Sequence, residues 1–191
     1  MALGISLITK SNLGTSPISS VPFVLSLKFN PSFGLFTFII SSFFILLEII
    51  LLRKEFPKKQ YLQIFVTLLL GLFIDFSIAL LSFVKPVLYI QKILLLLTGC
   101  TVLAFGIHIQ LRADVLINSG EGLVRAIAQK TGKSFGNIKI IFDLTLAGSA
   151  CIISLFAFGM IKGLREGTLI SAIFVGFLTK FFGNIGYRWG Q

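Results

Sequence analysis

Two carboxylates sit where a carboxylate is costly. Asp75 and Asp143 each interrupt a run of apolar residues. An ionised group inside a membrane span costs about 2.5–3.5 kcal/mol on insertion scales, and such groups face protein or water. Asp75 therefore reads either as an ion- or proton-coupling carboxylate, or as a buried acid held by Ser77 or by a hydroxyl of a neighbouring helix. Lys139 precedes Asp143 by four residues, which puts both on one helix face. Lys180, about two turns before Tyr187, reaches a similar depth from another span. Lys139, Asp143 and Lys180 thus form a candidate cluster. It is either a solute or ion site, or a packing pair of Asp143 with Lys180 beside a Lys139 that extends to the headgroups. Glu48, four residues from the end of its span, is expected to extend outward or to meet Arg53 or Lys54.

The turns offer a second chemistry. Asn12 and Pro17 belong to one polar, proline-broken segment, and Asn118 and Glu121 to another. Helix starts in such segments present free N–H groups that suit an anion, and the same residues also serve as ordinary turn formers. No catalytic, cofactor or metal motif accompanies them: there is no C-x-x-C, H-E-x-x-H or G-x-S-x-G. The Gly132-Lys133-Ser134 triplet imitates the end of a Walker motif, but Ile127 stands where that motif needs glycine. Cys100 and Cys151 lie in apolar runs and read as small apolar filler. No enzymatic activity is expected.

The elements that carry these residues are apolar throughout. Of 191 residues 55% are hydrophobic and 13% charged, about half the charge of an average soluble domain, and the mean hydropathy is +0.98. This excludes a soluble globular enzyme and a disordered chain, and points to an all-α integral membrane protein whose principal partner is the lipid bilayer. The net charge of +10 fits basic loops at an anionic surface better than nucleic-acid binding. Five full spans are expected at 31–52, 61–83, 86–111, 136–160 and 167–187. Residues 1–9 are apolar but reach only about 14 Å, and read as a truncated first span. Residues 12–29 and 114–132 are neither spans nor simple loops. The first reads as irregular. The second contains a helix from about Gly120 to Lys130 that is either amphipathic in the interface plane or re-entrant.

The chain also repeats itself. Shifted by 102 positions, Gly4-Ile5 falls on Gly106-Ile107, Lys28 on Lys130 and Ser32-Phe33-Gly34 on Ser134-Phe135-Gly136. Later the offset is 105, so Gly71 falls on Gly176 and Asp75 on Lys180. Two repeats follow, 1–85 and 86–191, with Met1 corresponding to a point inside the first span. With three crossings each they have inverted topology, and a site is expected between them at the midplane. Asp75 and Lys180 then lie in opposite halves of the membrane. Lys and Arg in the short loops divide nine against six at most, which predicts a cytoplasmic C-terminus.

Four elements of this pattern resemble the YczE/YitT group of bacterial membrane proteins: Lys10-Ser-Asn-Leu-Gly-Thr-Ser-Pro17, Thr131-Gly-Lys-Ser-Phe-Gly136, Gly71-Leu-Phe-Ile-Asp75, and Gly167-Thr168 followed by Gly176. The resemblance covers nearly the whole chain and implies a polytopic protein of the bacterial cytoplasmic membrane, with no assigned activity. The chain departs from the group at Ser19, where an acid is frequent after the turn proline, and at Ser119, which replaces the second proline while Glu121 keeps the acid. Two functions are expected from these features. One is a transporter or solute-binding membrane subunit for a small solute or ion. The other is a non-transporting accessory or scaffold protein, acting on a membrane partner or as a homo-oligomer.

Overall fold

The computed structural model describes residues 1–113 and 116–188, without the side chains of Lys54, Leu111, Lys180 and 183–188. Among the described residues the chain forms eight α-helices and no strand: α1 (Ala2–Lys10), α2 (Pro17–Lys28), α3 (Phe33–Leu52), α4 (Gln63–Leu80), α5 (Tyr89–Ala113), α6 (Ser119–Thr131), α7 (Phe135–Phe158) and α8 (Glu166–Arg188). Four stretches are long and apolar enough to cross a membrane: Phe33–Leu52, Lys58–Phe83, Tyr89–Gln110 and Phe135–Phe158. In α8 the described apolar part is the shorter Glu166–Thr179, so the expected fifth span is not among these four. Large side chains on the long helices point outward, as with Phe65, Phe73, Phe76 and, at 89% exposure, Phe156. Only a lipid environment makes such a surface favourable.

Local chemistry sets the ends of the helices. The Ser32 hydroxyl accepts from the Leu35 N–H and starts α3. Asn118 caps α6, which stops at Gly132 in the left-handed region at φ +65°. The stretch 12–29 is not irregular throughout. It turns through Asn12 and Gly14 and is helical from Pro17, because proline at a first helical position loses no hydrogen bond. Pro22 is carried inside the helix.

The two short helices α2 and α6 are held between the long ones. α2 packs on α7 and α3, and α6 packs on α3 and α7. The first turns of α2 and α6 are buried and face one another, since a methyl group on Gly120 would sit 3.1 Å from Ile18 Cδ1. The burial of Leu123 and Ala126, with Arg125, Gln129 and Lys130 exposed, follows the apolar stripe read from the sequence. α1 runs antiparallel along α5, with Gly4 against Leu103, Ile8 against Gly99 and Met1 against Gly106. α8 packs on α5, with Phe105 edge-on to Phe182. α3 and α4 dock closely, whereas α7 and α8 scarcely touch.

Candidate functional site

The first turn of α6 is polar and buried. Asn118, Ser119 and Glu121 are buried, and the Asn118 side chain accepts from the Ser119 N–H. Consecutive helix residues are separated by about 100°, so Glu121 and Gly122 point to different neighbours. Glu121 faces α7, with its Oε1 3.8 Å from Lys139 Nζ. Lys139 in turn donates to Asp143 at 2.8 Å. The i,i+4 pair read from the sequence is therefore made, and Glu121 joins it from another helix. The Lys180 side chain, placed in this cluster by the sequence, lies outside the described residues.

Gly122 faces α3. A methyl group there would lie 2.8 Å from Glu48 Oε2 and 3.2 Å from Gln63 Nε2, so both polar groups rest on bare α6 backbone. Glu48 is 1% exposed and Gln63 fully buried. The expectation that Glu48 extends outward is thus corrected, since α6 covers it; the Lys54 side chain, its other expected partner beside Arg53, lies outside the described residues. Gln63 from α4 and Arg125, one turn along α6, are its polar neighbours. Glu48 Oε2, both amide atoms of Gln63, Ser119 Oγ and Glu121 Oε2 are buried without a hydrogen-bond partner among the described residues. Buried polar atoms are nearly always paired, so five open atoms around one helical turn make this the candidate site.

The other sequence candidates lie apart. Asp75 is half-buried where α4 crosses the start of α3, accepting from Ser32 Oγ at 2.6 Å and from the Gly34 N–H at 2.8 Å. It caps α3, and the hydroxyl that holds it comes from the neighbouring helix start rather than from Ser77. The close docking is made by Gly34 and Gly71, where a methyl group on either would overlap the other's carbonyl oxygen. Pro17 is buried at the start of α2. Asn12, at φ +58°, lines a cleft of about 390 Å³ with Lys10, Ser82 and Lys85. Pro17 therefore sits at the junction of the short helices, and Asn12 does not.

Gln63 went unread in the sequence, and Glu48 was placed at the span end rather than under α6. The signal was present: Glu48 is the one charged residue in 31–52, and Gly120-Glu121-Gly122 removes side chains from the helix turn that Glu48 approaches.

The model of a family of unknown function (DUF6198) matches residues 1–184. The chain is similar to the uncharacterized membrane protein YczE of Bacillus subtilis (strain 168), 27% identical over 184 residues, which are 95% of this chain and 79% of that relative. These findings agree with the YczE side of the resemblance carried by the turn motifs. No solved structure matches. The molecule is an all-α membrane protein of an uncharacterised family.

Proposed function

The chain belongs to the DUF6198 family, and from that premise we propose that it is a membrane transporter, or the solute-binding membrane subunit of one, for a small solute or ion. The observation that carries this reading is the meeting of the buried first turns of α2 and α6, Ile18 on Gly120, next to open polar atoms of Ser119, Glu121, Gln63 and Glu48. Helices that start inside a bundle aim free N–H groups and turn residues at a bound species, and secondary transporters use them in this way.

The proposal includes two inverted repeats, 1–85 and 86–191, with five spans and a shorter first one. Three contacts support it. Ile18 and Gly120 are equivalent at the 102 offset and touch each other, as residues beside a twofold axis do. The equivalent helices α1 and α5 run antiparallel, with Gly4–Leu103 matched by Gly106–Met1. Lys28 bonds the Ala157 carbonyl, and the equivalent Lys130 meets the equivalent Glu55. Placement in a bacterial cytoplasmic membrane, with the C-terminus inside, belongs to the same reading, as does the absence of a catalytic step.

The test is electrophysiology on proteoliposomes presented with a panel of small solutes. A solute-evoked current in the wild type that falls in Glu121→Gln is expected. Identical traces with and without protein across the panel would turn the reading to a non-transporting accessory protein.

A further inference from the structure

Glu48 and Gln63 sit side by side over Gly122, with three buried atoms between them that have no hydrogen-bond partner. We infer that Glu48, with Gln63, binds a single monovalent inorganic cation, a sodium ion or a proton, on the α3 side of the α6 first turn. This rests on the transport reading above and names the coupling species of that site.

Three observations carry it. Two of the three open atoms are acceptors, Glu48 Oε2 and Gln63 Oε1, and an intramembrane carboxylate is by default a functional group. The space excludes organic bulk: with a methyl group on Gly122 only 2.8 Å from Glu48 Oε2, no alkylammonium fits between the carboxylate and the helix. Glu48 also has polar neighbours on two sides, the Gln63 amide from α4 and the Arg125 guanidinium from α6, so a cation arriving at the carboxylate meets both. On the other flank of α6 stand Glu121, Lys139 and Asp143, which are engaged with one another. Gln63 is the neutral group facing Glu48 from α4. Its amide orientation is free to present oxygen or nitrogen, which suits a site that alternates between occupied and empty.

The test uses the full chain in detergent. Thermal unfolding is followed in sodium chloride against choline chloride at equal ionic strength, and separately across a pH series in choline chloride. The sodium source predicts a rise in Tm with sodium at fixed pH. The proton source predicts no sodium effect and a pH dependence that differs between wild type and Glu48→Gln. In either case Glu48→Gln, which mimics the neutral acid, loses the response, and Glu48→Asp keeps it with an apparent affinity weakened about tenfold, or 1.4 kcal/mol. If Glu48→Gln does not fold, Glu48→Asp carries the test alone. Wild type indifferent to both sodium and pH would overturn the inference, as would Glu48→Gln or Glu48→Asp responding just as the wild type does. Solute currents independent of both cations would remove this inference and leave the transport reading standing. Cation binding without any solute current would do the reverse.

Discussion

The α3–α4 junction and the α7–α8 junction, which the proposed repeat makes equivalent, differ: among the described residues one is closed and the other open. In the first, Gly34 and Gly71 bring two backbones together and Asp75 fastens the start of α3 from α4. In the second, the equivalent Gly136 and Gly176 have nothing among the described residues within 4 Å of where a side chain would begin. The Ser134 side chain makes no capping bond, unlike Ser32. Lysine replaces Asp75 at position 180, and a lysine has no acceptor for a helix start. Small residues therefore permit close approach without compelling it. The carboxylate that bonds the N–H at the start of α3 is what separates the two junctions.

The largest effects should come from filling the closed junction. Gly34→Ala or Gly71→Ala places a methyl group into backbone of the partner helix and is expected to cost about 1–3 kcal/mol or more. Gly136→Ala and Gly176→Ala should be neutral or stabilising by about 0.5–1 kcal/mol through helix propensity. Thermal unfolding in detergent distinguishes these outcomes, and equal losses at all four positions would break the comparison. Next comes the fastening itself. Asp75→Ala leaves the Gly34 N–H without its acceptor and is expected to cost about 1–3 kcal/mol, with Asp75→Asn at the lower end. If both variants unfold with the wild type, the junction owes its closure to glycine alone. The smallest contrast lies at the ends of α3 and α7. Lys130 and Glu55 form an exposed pair, so Glu55→Ala should change stability by less than about 0.5 kcal/mol. Lys28 bonds Ala157 at 2.8 Å and lies 5.5 Å from the Phe158 ring centre, so Lys28→Ala should cost somewhat more, about 1 kcal/mol. The reverse order would mean that these two equivalent contacts are not set by their chemistry.

Four of the five expected spans were legible because lipid imposes a coarse rule that composition alone expresses. The Lys139–Asp143 pair was legible because helix geometry fixes i,i+4 neighbours before any tertiary contact forms. The bounds of α6 were legible from Asn118 and Gly132, which act locally. Glu48 was misread for the opposite reason. Its distance from the end of the span is a local fact, but its burial depends on α6 returning over it from some 70 residues away. Asp75 was read correctly as a costly acid, and its role as a cap depends on a crossing made by two glycines whose partners no spacing rule names. The helicity of 17–28 was hidden by its prolines, since Pro17 favours a helix start and Pro22 argues against the continuation that the flanking helices impose.

The loop ahead of α2 has a consequence for how the chain is assembled. The Thr15 N–H bonds Thr168 Oγ1 across 153 residues, the Gly167 N–H returns to the Leu13 carbonyl, and Gly14, at φ +122°, leaves room for Thr168. During synthesis this loop has no partner until the start of α8 has left the ribosome. At about 5–20 residues per second, the turn waits some seconds in the membrane with its backbone groups open. The contact between this turn and the start of α8 can therefore form only late in synthesis, and truncations that stop before residue 168 should stall as loose, protease-sensitive bundles.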